Sequence, residues 1–79
     1  MSYSAFVEQL ITSVVEHPAD VSIDEEVNGG TRTFFVEVNP EDVGKVIGRS
    51  GRVVSAIRCV VSAVAARERE RAYIKIVTE

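Results

Sequence analysis

The sequence predicts an α+β domain in which a three-stranded mixed sheet carries three helices packed on one face. The first observation is the order of hydrophobic periods, which runs helix, strand, strand, helix, helix, strand (αββααβ). The second is an Asn-Gly-Gly turn at residues 28–30, which predicts that the first two strands form an antiparallel hairpin. The third is the two-helix connection before the last strand, which allows a right-handed crossover to a parallel neighbour.

Length and composition bound the protein before any element is placed. Its 79 residues suffice for one domain, 1–79, and a hydrophobic share of 46% with a charged share of 27% favours a folded chain over a disordered one. The single cysteine excludes an internal disulfide and a cysteine-built zinc site. The sequence has neither an apolar run of membrane-spanning length nor a signal peptide. We therefore expect a cytoplasmic protein with no membrane segment, metal or cofactor.

Residues 3–16 are predicted to form an amphipathic helix. Apolar side chains recur there at the three-and-four spacing of one helix face, namely Phe6, Val7, Leu10, Ile11, Val14 and Val15. Pro18 ends the helix, because a residue that precedes proline is disfavoured in the helical conformation. His17 is the one histidine of the chain, so a surface role at the helix end is favoured over a metal or catalytic role.

Two strands are predicted on either side of the turn. Residues 21–27 alternate between apolar and polar positions, as a half-buried strand does. In residues 31–38, Phe34, Val36 and Val38 share the face that we assign to the core, whereas Phe35 lies on the other face. We expect a neighbouring element or a partner subunit to cover Phe35. The alternative is an exposed platform on which a nucleic-acid base stacks.

The second helix is predicted from its start signals. Asn39 is a favoured capping residue, and Pro40 suits the first helical position. Glu41 and Asp42 complement the positive end of the helix dipole. The helix is short and ends near Ile47.

A Gly-x-x-Gly segment, residues 48–51, separates this helix from the next. Gly48 permits a backbone conformation that a side chain would hinder, and Gly51 lets another backbone approach and opens the following helix. The unpaired N–H groups at a helix start attract anions, and Arg49 adds a full positive charge. Gly44, one turn earlier, has no side chain, so another chain can lie close to that side of the second helix. The segment predicts a short phosphate-binding loop, although a lone Gly-x-x-Gly is also common in plain helix–helix turns.

Residues 51–67 are predicted to form the third helix, which has more apolar surface than one core face requires. One stripe, assigned to the core, consists of Val54, Ile57, Val61 and Val64. A second stripe is a candidate dimer interface and consists of Val53, Ala56, Val60 and Ala63. Cys59 is interpreted as a small core or interface residue rather than a nucleophile. The charged run at 67–71 is expected to be solvated, and residues 72–77 alternate as the third strand.

Charge is divided unevenly along the chain. The formal net charge is −3, which by itself argues against a generic nucleic-acid binder. However, the first 42 residues contain nine acidic side chains and one basic one, whereas the rest of the chain contains eight basic and three acidic ones. The segment from 43 to 66 contains no acid and leaves four cations unopposed in the sequence, Lys45, Arg49, Arg52 and Arg58. The positive region coincides with the Gly-x-x-Gly segment and favours an anionic partner.

The run Val46-Ile47-Gly48-Arg49-Ser50-Gly51-Arg52-Val53-Val54 resembles the signature of KH domains, Ile-Gly-x-x-Gly-x-x-Ile, with Val54 in the last apolar place. The element order is similar to that of the type II, or prokaryotic, KH fold, so the resemblance covers nearly the whole chain. The run Asp-Val-Gly-Lys-Val-Ile-Gly at 42–48 is typical of the small bacterial stand-alone KH proteins of the KhpA type. The resemblance implies a cytoplasmic RNA-binding protein that forms homodimers. It also implies pairing with a larger KH-containing partner of the Jag type, in cell elongation and division.

The resemblance further implies that single-stranded RNA lies beside the loop, which clamps the nucleotide backbone. In this hypothesis the backbone N–H groups of Arg49, Ser50 and Gly51 hold phosphates. Ile47 and Val54 offer an apolar floor to the bases, with Ile57 or a residue of the sheet as a further candidate. The full set of expected RNA-contacting residues is Gly44, Lys45, Ile47, Gly48, Arg49, Ser50, Gly51, Arg52 and Val54.

Two other functions stay open at this point. The apolar surplus on the third helix and the acidic first half favour a protein-interaction module that docks a KH-containing partner while its RNA binding is weak or vestigial. Single-stranded DNA is an alternative ligand, because a loop that contacts phosphate does not read the sugar hydroxyl. The sequence shows no nucleophile–base pair, paired carboxylate site or metal-ligand cluster, so we do not expect an enzyme.

Overall fold

The computed structural model describes residues 3–77, and its element order is the one that the sequence predicts. Three single turns of 3₁₀ helix lie between the longer elements, at Pro18–Asp20, Pro40–Asp42 and Arg49–Gly51. The helices and strands are α1 (Ser4–Val14), β1 (Ser22–Asn28), β2 (Thr31–Glu37), α2 (Val43–Ile47), α3 (Arg52–Arg67) and β3 (Arg71–Ile76).

The sheet has the predicted mixed topology. Its strand order is β1-β2-β3, with β1 antiparallel to β2 and β3 parallel to β2. The register places Glu25 and Ile74 on either side of Phe34, so these three residues share the face that the helices cover. The two-helix crossover therefore returns the chain to the free side of β2, and β3 becomes an edge strand.

The core lies between the sheet and the three helices. Its fully buried side chains come from α1, β2, α2 and α3 and include Val7, Ile11, Phe34, Val36, Val46 and Val61. The third helix contributes Ala65 to this core, whereas Val64, which was predicted there, is only partly buried. A stripe with the 3.6-residue period advances by about eleven residues in three turns, which selects Ala65 after Val54.

The first helix is shorter than predicted, because the side chain of Asp42 accepts hydrogen bonds from the backbone that follows the helix. Its carboxylate accepts the N–H groups of Glu16 at 3.1 Å and of His17 at 2.9 Å. Val15 is consequently extended, and α1 ends at Val14. Asp42 has no exposed surface. Burial acts to raise the pKa of this carboxyl, but the two backbone donors outweigh burial and leave its pKa below the usual value.

The charged run after α3 is not fully solvated, contrary to the prediction, because Glu70 joins a partly buried cluster. Its carboxylate accepts the Arg32 Nε–H at 3.0 Å and the Tyr3 hydroxyl at 3.0 Å. Arg32 also pairs with Glu25 on the adjacent strand. The hydrogen bond from Arg32, followed by that from Tyr3, holds the pKa of Glu70 below its usual value. The cluster links Tyr3, which precedes α1, to β1, to β2 and to the residue that precedes β3.

The end of α3 places Glu70 in this cluster. The N–H of Glu70 donates to Ala65 O and the N–H of Arg69 donates to Ala66 O, which is the hydrogen-bond pattern of a Schellman motif. Arg69 occupies the left-handed position, with φ +59°, where glycine is more usual. This turn reverses the chain and aligns β3 beside β2.

Candidate nucleic-acid interface

The segment that leads into the Gly-x-x-Gly loop starts as predicted. The Asn39 side chain accepts the N–H of Glu41 at 2.8 Å, and Pro40 takes the first helical position. The predicted cap at Asn39 is therefore confirmed. The short helix α2 buries Val46 and leaves Gly44 and Lys45 exposed.

Two separate features of the structure require glycine at position 48. Its φ of +77° with ψ of 170° is a conformation that side chains disfavour. A Cβ atom at this position would also lie 2.5 Å from Val53 Cγ2 and 2.7 Å from Val53 N. The loop thus closes directly onto the first turn of α3, and only glycine fits at its start.

The second half of the loop turns through left-handed conformations. Ser50 has φ +57° and Gly51 has φ +75°, and a Cβ atom on Gly51 would meet no other atom within 4 Å. The Gly51 N–H donates to Gly48 O at 3.1 Å, so it is already used inside the loop. Within residues 3–77, no acceptor is bonded to the N–H groups of Arg49 and Ser50. Two of the three backbone donors proposed for phosphate are consequently available, and the third is not.

The cations around the loop differ in their surroundings. Arg49 and Arg52 are exposed, and neither lies within ion-pair distance of a carboxylate in the described part of the chain. Lys45 belongs to the segment of the sequence that contains no acid, but in the fold two carboxylates lie near its ammonium group. Its Nζ lies 3.5 Å from Glu16 Oε1 and 3.9 Å from Asp42 Oδ1. Of Lys45, Arg49 and Arg52, the two arginines therefore keep a charge that no carboxylate of residues 3–77 compensates.

The apolar floor expected beside the loop is narrower than predicted. Val54 is 5% exposed and Ile57 is 6% exposed, so both offer little surface to a base. Ile47, at the end of α2, is half-buried and keeps an accessible part.

One residue near the loop was not among those expected to contact RNA. Arg58 donates from Nε and from Nη2 to the carbonyl oxygen of Ile74, at 3.3 Å and 3.1 Å. The arginine therefore bridges α3 and the edge strand β3. The sequence contained one signal that Arg58 lies on the loop side of α3. Arg58 follows Gly51 by seven residues, which make nearly two helical turns and return to the same side of a helix.

Two expected contact surfaces are partly accessible. On α3, Ala56, Cys59, Val60 and Ala63 are exposed, and Val53 is half-buried. On the face of the sheet opposite the helices, the Nζ of Lys75 lies 5.8 Å from the ring centre of Phe35. Phe35 is half-buried, and its cover comes in part from this neighbouring strand.

A depression of about 760 Å³ lies away from the loop. It is lined by the end of β2 and the start of α2, including Glu37 and Val43, and by Asp20. Two carboxylates and no cation line it, so it does not suit a phosphate.

Among residues 3–77, no helix has the length and apolarity needed to cross a membrane. In the same range, no group of three or more histidine, cysteine, aspartate or glutamate side chains is arranged to hold a metal ion.

The αββααβ order, the mixed sheet and the glycine loop between α2 and α3 together define a KH domain of type II. Residues 4–76 match the family model described as "KhpA/KhpB, KH domain". The chain belongs to the KhpA/KhpB family of KH-domain proteins.

Several relatives support this assignment over most of their own length. The RNA-binding protein KhpA of Halalkalibacterium halodurans is 38% identical over 71 residues, which cover 90% of this chain and 93% of the relative. RNA-binding protein KhpA of Clostridium perfringens is 39% identical, covering 90% and 95%. RNA-binding protein KhpA of Mycobacterium tuberculosis is 43% identical over 61 residues, covering 77% and 76%. No solved structure matches the chain significantly.

Proposed function

We propose that this protein binds single-stranded RNA through the loop Arg49–Gly51 and the adjoining helix ends. The observation that carries the proposal is the pair of N–H groups, of Arg49 and Ser50, that have no bonded acceptor in the described chain beside two unpaired arginines. Relatives that resemble nearly the whole chain are named RNA-binding proteins, which supports the same ligand. A binding role rather than an enzymatic one, in the cytoplasm, is part of the proposal.

In this mechanism a phosphate accepts the N–H groups of Arg49 and Ser50. The guanidinium of Arg49 contacts the phosphate directly, and Arg52 adds attraction at longer range. Lys45 contributes less, because Glu16 and Asp42 compensate its charge. The exposed glycine Gly44 lets the nucleotide chain pass close to α2.

Bases rest against Ile47, and few aromatic side chains are available for stacking. The affinity of one domain is therefore modest, and the logarithmic salt slope is about −2 to −3 for three or four neutralised phosphates. We further propose that the protein acts as an RNA chaperone or post-transcriptional regulator in cell elongation and division, which the family resemblance suggests.

The test replaces both loop residues by acid, as Arg49→Asp with Ser50→Asp. Aspartate tolerates the left-handed conformation at position 50, so the fold is expected to survive while the added carboxylates repel phosphate. Binding of a fluorescent U-rich RNA octamer is expected to weaken at least 30-fold in anisotropy titrations. The matched control is Ser22→Asp with Arg67→Asp, which changes the charge equally at exposed positions away from the loop.

The control variant is expected to bind within about threefold of the parent. A folded loop variant that binds RNA as tightly as the parent would refute the mechanism. The same titrations with a DNA octamer decide between RNA and single-stranded DNA, because a contact limited to phosphate binds both equally.

We also propose that a second copy of the chain docks on the exposed side of α3. Val60 is 43% exposed there and is flanked by two small exposed residues, Ala56 and Ala63, with Val53 at the edge of the stripe. A two-fold axis beside Val60 would set Ala56 of one copy against Ala63 of the other, and small side chains permit close helix approach.

Val60→Glu is expected to give a folded monomer in sedimentation equilibrium. Val27→Glu is the control, because Val27 is 54% exposed but lies on β1. Cys59 on the same side of α3 gives a second readout, since a short bismaleimide is expected to cross-link two copies of the parent and not of Val60→Glu. A parent protein that sediments as a monomer would exclude the homodimer.

The exposed side of α3 also supports a second candidate function, a protein-interaction module that docks a larger KH-containing protein of the Jag type. In that case α3 binds the partner and RNA binding is weak. Pull-down of a purified Jag-type protein after nuclease treatment separates the two functions, because capture that survives nuclease does not depend on RNA.

A further inference from the structure

The sheet has a face that the helices do not cover, and the centre of this face is aromatic. Phe35 lies there, because its neighbour Phe34 points into the core and side chains alternate along a strand. The register places Asp24 and Lys75 on either side of Phe35. Tyr73, two residues before Lys75 on β3, points the same way and is 50% exposed. The outer face therefore combines aromatic surface with charges of both signs.

Charge on the outer face is sorted by strand. The charged residues that β1 contributes are acids, Asp24 and Glu26, whereas those of β3 are cations, Arg71 and Lys75, and all four are exposed. Glu37, at the end of β2, is also exposed and adds a third carboxylate. The face is thus negative along β1, positive along β3 and negative in sum. A net negative surface repels a polyanion, so the outer face does not suit RNA.

This pattern of charge is complementary to itself. A two-fold axis parallel to β2 would place β1 of one copy over β3 of another, and β2 over β2. In the central row, Asp24 of each copy would oppose Lys75 of the other, and the two Phe35 rings would meet between these pairs. An axis perpendicular to the strands would instead set acids against acids. The charges therefore select one arrangement of two copies.

The neighbouring rows fit the same arrangement. Glu26 would oppose Tyr73 of the other copy, whose phenol donates a hydrogen bond to a carboxylate. Asn28 would oppose Arg71, which the amide oxygen of Asn28 accepts. Glu37 would face its own copy, but it is exposed at the end of the strand, where salt screens repulsion. Packed sheets stay aligned to within about 30°, so the rows near the axis keep this pairing.

We propose that the outer face of the sheet pairs with the same face of a second copy. This contact goes beyond the pairing through α3, and the two are compatible because α3 packs on the opposite side of the sheet. Three strands form a face roughly 15 Å wide and 20 Å long, or about 300 Å². A stable complex buries about 800 Å² per partner, so we expect a Kd on the order of 1 mM.

A contact of this strength acts where copies are already close together. Two copies joined through α3 would present two outer faces, and copies bound to one RNA molecule would have a high effective concentration. The outer face would then connect such copies into larger assemblies without strengthening any single RNA contact.

The experiment uses the Val60→Glu chain, so that pairing through α3 does not contribute. Sedimentation equilibrium compares the weight-average mass at about 0.05 mM and about 1 mM protein, and the ratio of the two masses is the readout. We expect the mass to rise about 1.5-fold, because half of the chains are paired when the total concentration equals the Kd.

Two charge changes in this chain isolate the outer face. Asp24→Lys makes both sides of Phe35 positive, and Lys75→Asp makes both sides negative, so neither variant is expected to pair with itself. An equimolar mixture of the two is expected to recover most of the rise in mass, because each cation again opposes a carboxylate. Both variant chains keep a net negative charge, so attraction between opposite net charges does not bring them together.

The matched controls are Glu8→Lys and Arg67→Asp in the same chain. They change the charge by the same amounts at exposed positions on α1 and α3. Each control is expected to show the full rise in mass by itself, because its outer face is intact. Circular dichroism checks that every variant is folded.

The inference is wrong if the Val60→Glu chain has the same mass at both concentrations, or if Asp24→Lys and Lys75→Asp each pair with themselves. It is also wrong if their mixture does not pair, because the two-fold arrangement requires that pairing. Weaker binding of the U-rich RNA octamer by Lys75→Asp, with unchanged self-association, would assign the outer face to RNA instead. A parent that is monomeric at micromolar concentration refutes the pairing through α3 and leaves this test unaffected.

Discussion

Two charged regions of this molecule use the same residue types in opposite ways. In the anchoring cluster, formed by Tyr3, Glu25, Arg32 and Glu70, each charged side chain has a charged partner within the chain. In the loop region, Arg49 and Arg52 have no carboxylate within ion-pair distance in residues 3–77. The difference shows which charges the fold compensates internally and which it leaves available to an anionic ligand.

Exposure separates the two regions as clearly as pairing does. The Arg32 side chain is 16% exposed and that of Glu70 is 22% exposed, so their partners replace water that the fold has removed. The loop arginines are exposed and keep their hydration. Loss of an anchoring charge should therefore cost stability, whereas loss of a loop charge should cost only ligand binding.

The largest expected loss of stability follows from removing the Asp42 carboxylate, which precedes α2 and holds the backbone after α1. Asp42→Ala removes a fully buried carboxylate and leaves the partly buried N–H groups of Glu16 and His17 without their acceptor. The free energy of unfolding is expected to fall by roughly 3–5 kcal/mol in urea titrations. A chain of this length is stabilised by about 4–12 kcal/mol in total, so the variant is expected to be marginal.

Glu41→Ala is the matched control for that change, because the neighbouring carboxylate is 77% exposed and contacts only the His17 ring among the described residues. We expect this control to change stability by less than about 1 kcal/mol. If the two variants unfold at the same urea concentration, Asp42 is not an anchor.

The next effect tests whether the loop glycines are required by crowding or by conformation. Gly48→Ala introduces both a contact with Val53 and a disfavoured φ, and we expect a loss of roughly 2–4 kcal/mol. Gly51→Ala introduces only the disfavoured φ and is expected to lose about 1 kcal/mol. Gly44→Ala, in helix α2 with open space around it, is expected to be neutral or stabilising. Equal losses at positions 48 and 51 would contradict the close packing on Val53.

A smaller effect concerns acid. The pKa values of Asp42 and Glu70 are lowered in the folded protein, so their contribution to stability is complete above roughly pH 5. It is lost as the pH falls below about 4, because protonation then favours the unfolded chain. Urea unfolding at pH 7 and pH 3 measures the loss. Glu70→Gln is expected to be less stable than the parent at pH 7 and less sensitive to this change of pH.

The smallest effect on the fold is expected at the loop. Arg49→Ala should leave the free energy of unfolding within about 0.5 kcal/mol of the parent, because the side chain is exposed. RNA affinity should fall about three- to tenfold, and the logarithmic salt slope should become shallower by about 0.7. An unchanged slope would show that Arg49 does not neutralise a phosphate.

Local signals predicted most of the fold. The cap at Asn39, the turn at 28–30 and the glycine at 48 each specify a backbone conformation within a few residues, so a single sequence suffices to read them. The predicted solvation of the charged run at 67–71 failed because the partner is distant in the chain: Glu70 pairs with Arg32, 38 residues away. The ion pair between Lys45 and Glu16 likewise joins distant segments. No local period or spacing indicates such pairs.

The sequence by itself determined the order of the elements, the mixed sheet and the position of the glycine loop, because hydrophobic period and turn chemistry act over short distances. Only the tertiary structure decided which charges are compensated and which donors stay free, because these depend on approaches between distant segments. It set Lys45 near Glu16 and Asp42, used the Gly51 N–H inside the loop and buried Val54. It also set Arg58 against the edge of β3, since that contact forms only after the crossover has returned the chain to the sheet.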